Sequence, residues 1–118
     1  MNTNNPINHG QIIVAPEVMM TVVRQATQSV PNVASMISPS TGIFRRGQGR
    51  DGVTLTQTED GLKIDIHVVL QQNSNMMETA KAIQIAASDA VDQIIGVKTK
   101  SVDVHVEDIT FNNDENSK

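Results

Sequence analysis

Apolar and polar residues alternate with a period of two along residues 53–58, 62–70 and 100–109. Successive side chains leave a strand on opposite faces, so this pattern predicts three half-buried strands. Two of them carry the same tetrapeptide pattern, Asp-x-His-Val with a branched aliphatic at x, as Asp65-Ile66-His67-Val68 and Asp103-Val104-His105-Val106. In both, the branched aliphatics point one way and Asp and His the other. Two further stretches repeat every three to four residues, the period of an amphipathic helix. Met19, Val22, Val23, Ala26 and Val30 mark the first, opened by Pro16 and closed by Pro31. Ala80, Ile83, Ala87, Val91 and Ile94 mark the second. Asn75, with Glu78 three residues on, is a capping-box-like start for it, and Gly96 is a stop. Glu59-Asp60-Gly61 predicts a tight turn between the first two strands.

These elements give the order (β)αββαβ, an α+β two-layer sandwich with two helices on one face of a three-stranded mixed sheet. The hairpin is antiparallel, and the second helix is long enough to cross over to a parallel last strand. Residues 11–15 carry Ile12, Ile13 and Val14 and read as a short extra strand or an extended lead-in. Such a strand would offer a free edge. Residues 32–52 are the least regular part of the chain. Residues 1–9 and 112–118 are polar and Asn-rich and are expected to be disordered tails around one domain, residues 10–111.

Composition narrows the function classes. A chain of 118 residues suits one domain with a modest core. There is no Cys, Trp or Tyr, and Phe44 and Phe111 are the only aromatics, so the core must be aliphatic. Disulfides and thiolate chemistry are excluded, which fits a cytoplasmic location. Nine basic against thirteen acidic residues leave a formal charge of −4. That balance and the scarcity of aromatics argue against general nucleic-acid binding. No apolar run reaches membrane-span length, and residues 1–10 lack a signal-peptide core, so no direct membrane insertion is expected.

Three features carry candidate chemistry. If the two tetrapeptide strands are neighbours, Asp65, His67, Asp103 and His105 cluster on the open sheet face, beside Lys63 and Glu107. Two imidazoles with two carboxylates are a zinc-type donor set, but ligands on a flat sheet diverge. General acid–base work by Asp and His would need a concave pocket, and a small open sheet offers little. The expectation is a solvated or partner-binding face, with no cofactor and no metal. The second feature is the basic segment 45–50, where Arg45, Arg46 and Arg50 stand among glycines. Gly49-Arg50-Asp51-Gly52 has the Gly-x-x-Gly spacing of a KH nucleic-acid clamp, although that clamp joins two helices and this one precedes a strand. The third is the second helix, which is apolar beyond its main stripe at Ile85 and Ala86, a docking or self-association surface.

In order and spacing, these residues resemble the bacterial alkaline-shock-protein, or envelope-stress-response, family. The resemblance runs through Gly10-Gln11-Ile12-Ile13-Val14, Pro16-Glu17-Val18 and Ser29-Val30-Pro31-Asn32-Val33-Ala34. It continues through Gly52-Val53, Glu59-Asp60-Gly61, Ile64-Asp65, Val68-Val69, Asn75 and Glu78, then Ile83-Gln84, Ala90-Val91 and Gly96-Val97. Val102, Val104, Val106 and Asp108-Ile109 close it, so it spans about residues 10–110. The segment 71–74 lacks the glycine often found there, and residues 35–52 follow no family pattern. The resemblance implies a small soluble protein of cell-envelope homeostasis, self-assembling and held near the cytoplasmic side of the membrane by a membrane-anchored partner. It implies no enzymatic activity and transfers no catalytic residue. The reading is therefore a non-enzymatic, self-associating scaffold, whose surfaces are Lys63, Asp65, His67, Asp103, His105 and Glu107 on the sheet and Ile85 and Ala86 on the helix. The alternative is a KH-like nucleic-acid-binding module using Arg45, Arg46 and Arg50.

Overall fold

The structure is a computed structural model, and it describes residues 9–38 and 48–111. Of the expected tails, 1–9 and 112–118, all but residue 9 lie outside the described residues, as do Arg45 and Arg46. The elements are α1 (Pro16–Gln28), β1 (Val33–Met36), β2 (Gln48–Arg50), β3 (Val53–Thr58), β4 (Gly61–Gln71), α2 (Met76–Ala90) and β5 (Thr99–Thr110). Both helices pack on one face of a mixed sheet, the predicted α+β sandwich.

β4 is central. Leu62, Ile64, Ile66, Val68 and Leu70 are all buried, and the residues between them are half-buried. One edge of β4 pairs with two strands end to end, β3 along its first half and β1 along its last, both antiparallel. The other edge pairs in parallel with β5. β2 adds outside β3. The core joins the inward row of β4 to Val53, Leu55, Val102, Met20, Val23, Val30, Ile83, Ala87 and Val91.

Several local expectations shift. Residues 11–15 form no strand, and Ala15 is extended (φ −61°, ψ 140°), so they are the lead-in to α1. The extra strands come instead from β1 and β2, inside the segment that reads as irregular. The α1 stripe runs through Met20, Val23 and Thr27, with Met19, Val22 and Ala26 on its flank. Thr27 escapes a hydropathy reading, yet it is fully buried because its Oγ1 donates to the Val23 carbonyl at 2.8 Å. Asn75 caps α2 as predicted, accepting from the Glu78 N–H at 3.0 Å. After Ala90 the helix widens into a π-helical turn, Val91–Ile95. That turn breaks the 3.6 phase. Ile94, expected on the buried stripe, is consequently 70% exposed, and Ile95 packs against the core in its place.

Asp51 (φ 50°) and Gly52 (φ 88°) both hold positive φ, the two-residue turn that a β2–β3 hairpin favours. At the Glu59-Asp60-Gly61 turn only Gly61 has positive φ (129°). There Thr58 Oγ1 donates to the Gly61 carbonyl at 2.7 Å and accepts from the Asp60 N–H. A Cβ on Gly61 would stand 2.8 Å from the Lys98 carbonyl, which itself accepts from the Leu62 N–H. Gly96 also has positive φ (83°), but open space surrounds it. Gly61→Ala is therefore expected to cost about 2–3 kcal/mol, and Gly96→Ala only about 1 kcal/mol. Urea unfolding of the two variants checks this, and equal losses would contradict the crowding at Gly61.

Candidate functional site: the polar face of β4 and β5

The parallel register sets Asp65 beside Asp103 and His67 beside His105. The repeated tetrapeptide is thus two neighbouring strands with no offset between them. Neighbouring strands are about 4.8 Å apart, and the imidazoles of His67 and His105 stack at 4.3 Å between centroids, 10° from parallel.

The remaining contacts run diagonally. His105 Nε2 lies 2.9 Å from Asp65 Oδ1, and His67 Nδ1 lies 2.6 Å from Glu107 Oε2. An ionised carboxylate only accepts, so the network assigns the hydrogen to Nε2 in His105 and to Nδ1 in His67. Lys63 Nζ bridges Asp65 at 3.0 Å and Asp103 at 3.3 Å. One chain of contacts therefore links Asp103, Lys63, Asp65, His105, His67 and Glu107. Glu107 stands two residues beyond His105, the partner of His67, just as His105 stands two beyond Asp103, the partner of Asp65. Past Val106 β5 then bulges, since Val68 pairs with Val106 but Val69 with Asp108. Alternation alone gives no warning of that irregularity.

Burial acts to raise the Asp65 pKa, but the hydrogen bonds from His105 and Lys63 outweigh it and hold the carboxyl below its ordinary 3.8. Lys63 moves the other way, above 10.5, chiefly through its hydrogen bond to Asp65. The outward row is thus tied into the fold. Only 12% of the His67 side chain is exposed. Among the described residues no group of three or more His, Asp and Glu side chains is arranged to hold a metal ion. The carboxylates turn sideways along the sheet rather than converging on a point above it.

The other candidate residues separate. Ile85 is 62% exposed, whereas Ala86 next to it packs against the core. Arg50 lies in β2, and Gly49-Arg50-Asp51-Gly52 forms a strand end and hairpin turn. Arg50 therefore stands in a strand and not in the expected loop, and the Gly-x-x-Gly spacing coincides with a hairpin. Two open grooves flank the outer side of β5, a feature with no signature in the sequence. One, of about 350 Å³, is lined by Gln84, Ile85 and residues 99–102. The other, of about 410 Å³, is lined by Met76, Phe111 and residues 106–109. No helix among the described residues is long and apolar enough to cross a membrane.

Residues 4–111 match the model of the alkaline shock protein 23 family, described as having a cell envelope-related function. The chain belongs to this family. Two bacterial relatives span most of its length. The uncharacterized protein YloU of Bacillus subtilis (strain 168) is 25% identical over 111 residues, covering 89% of this chain and 92% of its own. The uncharacterized protein Spy1535 of Streptococcus pyogenes serotype M6 is 30% identical over 102 residues, covering 85% and 79%. Among solved structures, the copper form of the MamM CTD superposes with a TM-score of 0.57 at 14% identity, covering 79% of this chain and 85% of that one. At that identity the likeness concerns the fold alone.

The depressed Asp65 pKa has a consequence for stability. A carboxyl whose pKa falls on folding stabilises the fold above its unfolded pKa, and that contribution is lost as pH drops through the folded value. Asp65→Asn is expected to lower stability by about 1 kcal/mol at pH 7. The gap should narrow as pH falls through the folded-state pKa, below the ordinary 3.8, where the wild-type carboxyl itself becomes protonated. Urea titrations from pH 7 to pH 2.5 check this, and a gap independent of pH would contradict it.

Proposed function

We propose that this chain is a non-enzymatic, self-associating scaffold of the bacterial cell envelope, working in the cytoplasm beside the membrane and held there by a membrane-anchored partner. The observation that carries the reading is the set of large apolar side chains left outside on α2 and on the π-helical turn that follows it. Met77 and Ile94 are 70% exposed, Ile85 62% and Met76 43%. Such a concentration along one helical stretch of a small domain favours a protein–protein surface. The polar sheet face supports the same reading from the opposite side. Its carboxylates and imidazoles are committed to one another, and they lie on an open face rather than in a cleft where substrate would be enclosed. Family membership supplies the envelope context.

Sedimentation velocity over a concentration series is expected to show reversible association of the wild-type chain. Ile85→Glu puts a charge on the exposed helix surface without touching the core, and it should weaken association about tenfold or more while leaving the circular dichroism spectrum unchanged. A wild-type chain that stays monomeric at millimolar concentration would overturn the reading.

A further inference from the structure

The outer edge of β5 carries peptide groups in a symmetric arrangement. The peptide groups along it divide into inward and outward sets. The His67 N–H donates to the Gly52 carbonyl, and the His67 carbonyl accepts from the Ile37 N–H. Both groups of His67 therefore face the β1/β3 edge, and strand alternation turns Ile64, Ile66 and Val68 toward β5. In a parallel ladder a residue bonds to the two neighbours of its opposite number, not to the opposite number itself. Ser101, Asp103 and His105 thus point their peptide groups inward, and Val102, Val104 and Val106 point theirs outward. At the strand ends, the Lys98 carbonyl accepts from the Leu62 N–H at 2.9 Å and the Thr110 carbonyl from the Gln72 N–H at 3.0 Å. Those two residues also face inward, which leaves Thr99 and Ile109 facing out.

The outward set is symmetric about Val104. Thr99 and Ile109 are equally far from it in sequence, as are Val102 and Val106, and as are the inward anchors Lys98 and Thr110. Both register irregularities of β5, near Lys100 and near Glu107, fall between matching members of the set. A two-fold axis at Val104 consequently maps every outward peptide group onto an outward group of a second copy. Axes at Val102 or Val106 lay outward groups against inward ones.

Side chains agree with the same register. It sets Asp103 opposite His105 of the second copy and Lys100 opposite Asp108, each twice by symmetry. An axis at Asp103 would set that carboxylate against itself, and one at His105 would oppose Asp103 with Glu107. Opposite charges across an antiparallel pair stabilise it and like charges destabilise it. The grooves match as well: the one with Ile85 beside residues 99–102 meets the one with Met76 and Phe111 beside residues 106–109.

We infer that two copies of this chain join by antiparallel β5–β5 pairing centred on Val104, making one continuous sheet through both. This rests on the self-association proposed above and names its geometry. Gln84 Nε2 donates to the outward Val102 carbonyl at 3.0 Å. That contact shields the edge in the free chain, and the second lone pair of the carbonyl remains for the partner strand.

The test uses exposed charges and the full chain. Lys100→Glu faces Asp108 of its copy, and Asp108→Lys faces Lys100, so each single variant sets two like pairs across its own dimer. Each should weaken dimerisation about tenfold. An equimolar mixture of the two variants makes only opposite pairs and should return to wild-type affinity as a heterodimer. Sedimentation equilibrium of the wild type, both variants and the mixture, with circular dichroism to confirm folding, reads this out. A wild-type dimer indifferent to both substitutions, or single variants that the mixture does not rescue, overturns β5 pairing and leaves self-association standing. A strictly monomeric wild type overturns both.

Discussion

Strand β4 alternates without interruption from Gly61 to Gln71, and both of its edges are hydrogen-bonded. A one-residue slip would expose its five buried aliphatics and bury Lys63, Asp65 and His67. That penalty fixes the register of β3, β1 and β5 against it. The helices then cover the aliphatic face, which leaves the charged row on the other. The stacked imidazoles and the Lys63 bridge follow from this placement. Two strands with the same polar pattern, paired in parallel with matched tetrapeptides, bring like residues together, so Asp65 adjoins Asp103 and His67 adjoins His105. Lys63 between the two aspartates offsets their repulsion. Glu107 and Asp65 each satisfy one imidazole.

How much of this was legible in the sequence depends on the length of the pattern. β4 and β5 are long and strictly alternating, and their pairing partners follow from the helix between them. The caps of α2 were equally plain, because Asn75 and Gly96 satisfy peptide groups that every helix leaves open. β1 and β2 were hidden for the opposite reason. They have four and three residues, and β1 is exposed at Ala34 and Ser35, so neither makes a detectable period. Tertiary pairing with β4 and β3, not local preference, makes them strands. The π-turn at Val91–Ile95 likewise leaves no mark in composition, yet it decides whether Ile94 or Ile95 is buried.

The candidate site was legible as a set of residues and not as a network. The sequence places Lys63, Asp65, His67, Asp103, His105 and Glu107 on one face. Which imidazole meets which carboxylate depends on the diagonal geometry of the parallel pair. The edge of β5 was the least visible feature. Whether a peptide group faces inward or outward is a property of the ladder and not of side chains, and it becomes apparent only once the bonds of His67, Lys98 and Thr110 are known.

In the proposed dimer the domain meets a second copy through the β5 edge and the grooves that flank it, while the side chains of its polar face contact one another. Amide hydrogen exchange along β5 as a function of protein concentration tests this most directly. The Asp103 and His105 amides are expected to be protected at every concentration, and those of Val102, Val104 and Val106 to become protected only as the chain associates. Association that leaves the three valine amides exchanging freely would contradict it.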